Sequence, residues 1–241
     1  YQLQLLLNYL KTFQDKHNIS TTLGTEVMKY NYESINATAT NFPYDGALWW
    51  NMGLGADRPW VGSYGSYSEL LSYFMRLSYD YDFKYFITAN FRIDGSSKFA
   101  PDNQYAFFPG ISVGWDIVRE EFMSSTKIDQ LKLRAGYGIT GNDNIGTAFT
   151  DWYSPGANTM WGNNIVSGVK LARIGNPNLT WEKQEDINLG VDFSIYNHRI
   201  SGSIDYFNRK IHRILGTKSL VSFNPITSIN SNLDAIKQTY G

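Results

Sequence analysis

The sequence predicts an all-β fold, and more narrowly a segment of an antiparallel transmembrane β-barrel. Apolar and polar residues alternate over eight segments, most of these segments are long, and the connections between them are alternately short and long. Alternation with a period of two marks a strand that has one apolar face. Helical periodicity is nearly absent from the 241 residues.

The eight predicted strands cover residues 1–13, 19–31, 69–80, 84–94, 106–118, 131–141, 183–196 and 199–213. Leu6 and Leu10 interrupt the alternation of the first strand. Arg76, Arg92 and Arg134 each fall on the polar side of their own strand. A further strand is expected to begin in the final stretch "NLDAIKQTYG".

The stretch from Ile187 to Phe207 shows the alternation most regularly. A two-residue turn at Asn197 and His198 would pair Tyr196 with Arg199, so that the apolar residues of both strands share one face. We expect lipid contact for Leu189, Val191, Ile195, Ile200 and Ile204, and a watery or plugged lumen for Asp192, Ser194, Ser203 and Asp205. A soluble sheet that buries one face would alternate in the same way.

Strand length and connection length favour the membrane. Most segments have about 11 to 14 residues, whereas soluble strands have about 5–6 and tilted membrane strands need about 9–11. Long connections are predicted at 32–68, 95–105 and 142–182, with short turns at the opposite ends of the strands. Outer-membrane barrels have this asymmetry, and they carry interfacial aromatic girdles, for which Tyr79, Tyr81, Tyr85 and Tyr196 are the candidates.

Composition excludes several functions. A net charge of −1 without a basic cluster argues against a nucleic-acid partner, and the absence of Cys removes disulfides and thiolate sites. His17, His198 and His212 are expected to be solvated surface residues, and Glu120 and Glu121 to solvate a turn rather than to act as an acid and base pair. We therefore predict no catalytic residue, no metal site and no cofactor.

Four stretches resemble one family in their order and spacing: "RIDGSSKFAPDNQYAFFPGISVGWDI", "LKLRAGYGITGNDNIG", "NPNLTWEKQEDINLGVDF" and "RISGSIDYFNRK". Together they are similar to the barrel of SusC/RagA-type TonB-dependent outer-membrane transporters of Bacteroidota. The resemblance covers roughly residues 70–213. Residues 1–69 fit as a preceding hairpin and a variable loop.

The resemblance implies a barrel of about 22 strands around a plug, of which residues 1–241 would supply eight or nine. The family's signal peptide, TonB box, plug and closing C-terminal strands are not in this sequence. An open sheet leaves unpaired edges that are untenable in lipid. We therefore expect the remainder of the same barrel to complete the sheet.

The resemblance also implies a function: import of a glycan or peptide nutrient across the Gram-negative outer membrane, without enzymatic activity. The partners would be a SusD-like lipoprotein that closes over the barrel, and TonB, acting through the missing N-terminal region. A passive porin or other barrel is one alternative, and a soluble β-sandwich that binds or processes carbohydrate is another.

Two groups of residues are candidates for a site. In the rim turn, Asp94 would accept backbone N–H bonds, Gly95 would allow a positive φ and Arg92 would project inward, with Ser96 and Ser97 following. A structural role is expected there, with direct substrate contact as the alternative. The second group consists of loop aromatics, which are candidates for contact with substrate or lid, with ordinary loop packing as the alternative: Trp49, Trp50, Trp60, Trp152, Tyr153 and Trp161.

Overall fold

The computed structural model describes residues 1–44, 46, 50–57, 59–221 and 226–241, and within these most residues lie in antiparallel strands. The strands are β1 (Gln2–Phe13), β2 (His17–Thr38), β3 (Trp60–Tyr81), β4 (Tyr85–Ser96), β5 (Tyr105–Asp116), β6 (Ile128–Asn142), β7 (Trp152–Pro155), β8 (Thr159–Trp161), β9 (Asn164–Val166), β10 (Val169–Arg173), β11 (Glu182–Ile195), β12 (Ile200–His212), β13 (Ile214–Ser219), β14 (Ser228–Leu233) and β15 (Lys237–Tyr240).

Nine of the strands in this described part form one sheet, in the order β1-β2-β3-β4-β5-β6-β11-β12-β15. The pairs β7–β10, β8–β9 and β13–β14 form separate two-stranded ladders in the long connections. The order is a meander, because each strand pairs with the next unless a long connection carries its own ladder. One continuous sheet of this kind is not a sandwich, in which two sheets face each other.

All eight predicted strands are present. The ninth, expected in the last stretch of the sequence, is β15, which pairs with the end of β12. The predicted connection 142–182 is more structured than expected, since β7 to β10 lie inside it. Within the described residues, no helix is both long enough and apolar enough to cross a membrane.

The prediction was wrong about β2 and β3. Each has 22 residues and they pair from His17↔Tyr81 to Thr38↔Trp60, so much of the expected loop 32–68 is a long hairpin. Strands of this length exceed the about 9–11 residues that a tilted strand needs to cross the bilayer. Where a hairpin is in water on both faces, nothing requires alternation, and the sequence pattern fades.

The register of the β11–β12 hairpin is as predicted. Ile195 pairs with Ile200, Val191 with Ile204 and Asp192 with Ser203. The ladder closes at Ile195 and Ile200, and Tyr196, Asn197 and His198 between them have φ of 58°, 57° and 61°. Three successive positive φ values make this connection longer than the predicted two-residue turn. The apolar residues of the two strands therefore share one face, and the polar residues share the other.

The interruption of β1 by Leu6 also has a local explanation. Leu6 pairs with Gly24 of β2 and projects to the polar face. A Cβ placed on Gly24 would lie 2.4 Å from a ring atom of Phe74 and 2.8 Å from Leu6. Glycine thus leaves the space in which these two apolar side chains meet.

Aromatic rings line the short-turn end of the sheet. The Tyr81 and Tyr85 rings stack at 6.4 Å between centroids, Tyr85 stacks on Trp115 at 6.4 Å, and His17 lies 4.9 Å from Tyr81. The predicted girdle of tyrosines is thus extended by Trp115 and His17. Its contact with the membrane interface stays a prediction.

The buried core lies at the opposite end of the sheet, where the long connections meet. Phe99, Phe108, Leu179 and Trp181 form it together with Ala148, and all five are buried. Trp181 contacts the rings of Phe99 and Phe108 at 5.4 Å each, and its indole Nε1 donates to the Gln104 carbonyl at 2.7 Å. We call these five residues the rim core.

Candidate functional site

The two faces of the large sheet differ in chemistry. Leu189, Val191, Ile195, Ile200 and Ile204 share the apolar face, because they alternate along β11 and β12 and include directly paired residues. The polar face holds Asp192, Ser194, Ser203 and Asp205, and ion pairs cross it from strand to strand. Lipid contact for the apolar set remains a prediction, but the partition itself is present.

Arg92 is the centre of the first ion-pair cluster on the polar face. Its Nε donates to both carboxylate oxygens of Asp94 at 2.7 and 2.8 Å, and its Nη2 donates to the Ser72 hydroxyl at 2.9 Å and to Glu26 at 3.3 Å. Glu26 and Asp94 are only 8% and 7% exposed. A carboxylate this buried needs a charged partner, which Arg92 supplies to residues of three strands.

Arg134 likewise pairs with carboxylates of neighbouring strands, farther along the sheet. It binds Asp192 in a fork, through Nε at 2.7 Å and Nη2 at 2.8 Å, and reaches Asp205 at 3.0 Å. Gly190 makes room for it, since a Cβ there would lie 2.6 Å from Asp205 and 2.8 Å from the guanidinium. Arg134 therefore joins β6, β11 and β12 across the polar face.

The rim turn differs from its prediction at Asp94 and Gly95. Gly95 does not have a positive φ, because it lies inside β4, paired with Leu71 and Tyr105. Its missing side chain instead admits the Tyr105 ring, from which a Cβ would be only 2.4 Å away. Asp94 accepts from Arg92 rather than from loop backbone N–H groups, so it closes no turn. Arg92 lies on the polar face of the sheet, and its projection into a lumen stays a prediction.

Ser96, Ser97 and Lys98 lock neighbouring segments together. The Ser96 hydroxyl donates to Asp143 at 2.7 Å, and Lys98 Nζ lies 3.3 Å from the same carboxylate. Ser97 exchanges two bonds with the Glu69 backbone: its N–H donates to the carbonyl at 2.9 Å, and its hydroxyl accepts from the amide at 2.8 Å. This supports a structural role for the predicted rim turn.

The rim core accounts for three of the quoted sequence stretches. Phe99 and Phe108 come from "RIDGSSKFAPDNQYAFFPG", Ala148 follows "GNDNIG", and Leu179 and Trp181 come from "NPNLTWEKQ". These segments are far apart in the sequence, so the sequence pattern did not predict that their apolar residues pack together. The structure brings them together as one small hydrophobic core.

A cleft of about 1040 Å³ opens beside the rim core, on the polar side of the long hairpin. β2 and β3 form one wall, and the connection from β6 to β11 forms the other. Its principal lining residues are Tyr30, Tyr64, Ser66, Ser68, Lys98, Asn144, Thr147, Trp152 and Arg173. We call it the outer cleft. Tyr30, Ser66, Ser68 and Arg173 were missed because their segments show no pattern that distinguishes a cleft from a loop.

The structure disperses the predicted loop aromatics. Trp152 lines the outer cleft, whereas Trp60 begins β3, Tyr153 follows Trp152 in β7, and Trp161 ends β8. Trp50, Trp60, Trp152, Tyr153 and Trp161 are all exposed in the described part of the chain. Trp49 lies outside the described residues. Substrate or lid contact stays a prediction for all six.

Glu120 has a definite structural role that sequence reasoning missed. It lies in the short-turn segment between β5 and β6, and it accepts from the Tyr85 hydroxyl at 2.6 Å and from Trp115 Nε1 at 3.1 Å. These bonds, the one from Tyr85 foremost, hold the pKa of the Glu120 carboxyl below its usual range. Glu120 thus positions two rings of the aromatic row rather than merely solvating a turn.

The histidines likewise have neighbours. His17 Nδ1 lies 2.8 Å from the Tyr79 hydroxyl, His198 Nδ1 lies 3.0 Å from the Ser194 hydroxyl, and His212 Nε2 lies 3.5 Å from Glu185. None of these is a triad of nucleophile, base and orienting acid. Among the described residues, no three His, Asp or Glu side chains come together as a metal site.

Comparison with known proteins agrees with this geometry. A family model described as "TonB dependent receptor-like, beta-barrel" matches residues 2–241. TonB-dependent receptor P39 of Formosa agariphila is 33% identical over 239 residues, which are 98% of this chain and 23% of that protein. TonB-dependent receptor SusC of Bacteroides thetaiotaomicron is 36% identical over 188 residues, 74% of this chain and 18% of SusC. The chain therefore spans about a quarter or less of these relatives.

Solved structures share the fold. The RagAB peptide importer in its closed-closed state superposes with a TM-score of 0.89 at 24% identity, covering 99% of this chain and 26% of the compared chain. The siderophore receptor PirA of Acinetobacter baumannii gives a TM-score of 0.57 at 15% identity, with 99% and 31% covered. The predicted antiparallel barrel segment and its resemblance to SusC/RagA-type proteins are confirmed. The chain belongs to the outer-membrane β-barrel family of TonB-dependent receptors.

Proposed function

We propose that this chain is part of the barrel wall of an active importer, which carries a glycan or peptide nutrient across the outer membrane of a member of Bacteroidota. The observation that carries the proposal is the two-faced sheet in a member of this receptor family: one face apolar, the other joined by ion pairs of Arg92 and Arg134. An apolar face suits lipid, and an ion-paired face suits a watered or plugged lumen.

The remaining strands of the barrel come from the rest of the same polypeptide in this proposal. Among the described residues, β1 pairs on one side only, with β2, and most of β12 pairs only with β11. Lipid cannot satisfy open backbone groups, so further strands must close both edges. The resemblance to SusC/RagA-type proteins supports a barrel of about 22 strands with a plug inside.

Two protein partners belong to the proposal. A SusD-like surface lipoprotein would close over the long-loop end, and TonB would engage a segment outside residues 1–241 and pull on the plug. The name of the RagAB peptide importer supports peptide as one class of cargo, and the exposed aromatics of the outer cleft are compatible with sugars as well.

Uptake in living cells tests the proposal. We expect a gene deletion to abolish accumulation of the growth-supporting nutrient, and an uncoupler or loss of TonB to do the same while the receptor stays in the membrane. Uptake that follows the concentration gradient and persists without TonB would instead establish a passive porin. Co-purification of the receptor with a surface lipoprotein tests the lid separately.

A further inference from the structure

We propose that the outer cleft is a binding site for acidic oligosaccharides, in which Arg173 binds a carboxylate or sulfate group and Trp152 stacks on the sugar ring beside it. This inference rests on the proposed import function and names the class of its cargo. It follows from the charge of the cleft, the pairing of these two residues and the chemistry of the other lining side chains.

The charge of Arg173 is uncompensated. Its Nη2 donates to the backbone carbonyl of Thr147 at 2.6 Å, and its Nε is buried without an acceptor. No described carboxylate lies within ion-pair distance of this guanidinium. The other cation of the cleft, Lys98, is neutralised by Asp143 at 3.3 Å. Arg173 therefore gives the cleft a positive charge that no described side chain balances.

Arg173 and Trp152 are placed together by the β7–β10 ladder. They are paired at the end of that ladder, next to a register shift between Leu171 and Arg173, so the two residues lie side by side there. Both line the outer cleft, and the Trp152 ring is exposed. A guanidinium next to an exposed indole is suited to a sugar that carries an oxyanion. The guanidinium binds such a group through two parallel N–H bonds, and the C–H face of the sugar ring packs on the indole.

The rest of the lining favours sugar over peptide. Ser66, Ser68, Asn144 and Thr147 offer hydroxyl and amide groups, which can both donate to and accept from sugar hydroxyls. No carboxylate is among the described lining residues, so no acidic side chain of the lining competes with an anionic ligand for Arg173. Its volume of about 1040 Å³ is at the upper end of ligand sites, which suits a chain of several rings.

The test measures binding to the purified full-length receptor by calorimetry. The probes are tetragalacturonate, a sulfated galactan oligomer, a neutral galactan oligomer and an acidic peptide. We expect both acidic sugars to bind about tenfold or more tightly than the neutral one, an advantage that shrinks as salt is added. Arg173→Gln should remove the advantage of the acidic sugars over the neutral one, and Arg173→Lys should keep part of that advantage.

Arg199→Gln is the matched control. Arg199 is an exposed arginine in the short turn before β12, at the opposite end of the strands, and its substitution should change no affinity. Trp152→Ala should weaken acidic and neutral sugars alike. If only tetragalacturonate binds more tightly than the neutral sugar, the site is assigned to carboxylated sugars. If only the sulfated oligomer does so, the site is assigned to sulfated sugars.

Three results would overturn the inference. They are equal affinity for acidic and neutral sugars, an Arg173→Gln variant that keeps the full affinity for acidic sugars, and binding of the acidic peptide that is stronger than binding of the acidic sugars. The two proposals fail separately. If acidic sugars do not bind but another nutrient is taken up with TonB, import stands and the anion site is wrong. If they bind through Arg173 but no TonB-dependent uptake occurs, the site stands and import is wrong.

Discussion

Trp181 joins parts of the chain that are distant in sequence. It packs on Phe99 and Phe108, and its indole N–H reaches the Gln104 carbonyl between them. A tryptophan after "NPNLT" has no periodic pattern around it, so its burial could not be predicted. The residue scale is therefore where sequence reasoning about this protein was weakest.

We expect Trp181→Ala to destabilise the rim core by about 3–5 kcal/mol, because it removes a buried ring and leaves a cavity. Trp161→Ala is the control, since Trp161 is 79% exposed and Trp181 only 5%. Hydrogen exchange of segments 97–104 and 174–181 in the full-length receptor would measure the difference. Equal protection in the two variants would contradict the proposed importance of this core.

The hydrogen bonds of Glu120 should make the packing of the aromatic rings at the short-turn end depend on pH. Its folded pKa lies below the ordinary 4.5, because Tyr85 and Trp115 donate to the ionised carboxylate. The stabilisation is therefore fully present above pH 4.5 and is lost as the pH falls through the lowered folded pKa. Tryptophan emission should report loosening of Trp115 at acidic pH.

Glu120→Gln is the matched variant for that measurement. It cannot ionise, so its Trp115 signal should vary less than that of the unmodified protein as the pH is lowered through the acidic range. Glu121→Gln, at a neighbouring residue without these two bonds, should titrate like the unmodified protein. An identical profile in all three would show that Glu120 does not hold the rings.

At the scale of elements, the ion pairs of the polar face bind strands into one sheet. Arg92 joins β2, β3 and β4, and Arg134 joins β6, β11 and β12. The alternation in the sequence placed both arginines on the polar face, but it could not name their partners. Partners across a sheet depend on register, and register depends on turns and pairing.

We expect Arg92→Met to cost about 3–5 kcal/mol, since it leaves Asp94 and Glu26 buried without a cation. Arg134→Met should cost about 1 kcal/mol or less, because Asp192 and Asp205 are hydrated more easily. Side-chain exposure is 10% and 11% for Glu26 and Asp94 but 27% and 40% for Asp192 and Asp205. Urea unfolding of the full-length receptor in detergent would rank the two variants, and equal costs would contradict this account.

The part of the β2–β3 hairpin farthest from the short turns, residues 33–65, should be removable without loss of the rest of the sheet. Replacing 33–65 by Asn-Gly would join Tyr32 to Ser66, which already face each other, through a favoured type I′ turn. The removed part extends beyond the length needed to cross the bilayer, so membrane insertion should survive while sugar binding in the outer cleft is lost with Tyr64. Failure of the shortened protein to reach the outer membrane would show that the extension is required for assembly.

At the scale of the whole molecule, the open edges of the sheet determine whether residues 1–241 can stay folded without the rest of a barrel. β1 carries exposed Leu3, Leu5 and Leu7 next to a row of unpaired backbone groups. Such an edge is a template for aggregation in water and is not tolerated in lipid. Residues 1–241 alone should therefore aggregate on refolding into detergent.

The mass of the polypeptide in extracted outer membranes tests whether this chain is a segment of a larger barrel. We expect several times the 27.5 kDa of this chain, with the rest of a barrel flanking it. The full polypeptide should refold into detergent micelles to a heat-stable form. A monomeric, detergent-free 27.5 kDa chain with cooperative unfolding would contradict the barrel-segment interpretation.

The sequence by itself determined the strands, their two faces and the register of β11 and β12. These depend on period-two alternation and on turn residues, both of which are local. Only the tertiary structure decided the length of β2 and β3, the extended backbone at Gly95, the rim core and the outer cleft. Those features depend on contacts between residues far apart in the chain, where packing and ion pairing, rather than local pattern, select the conformation.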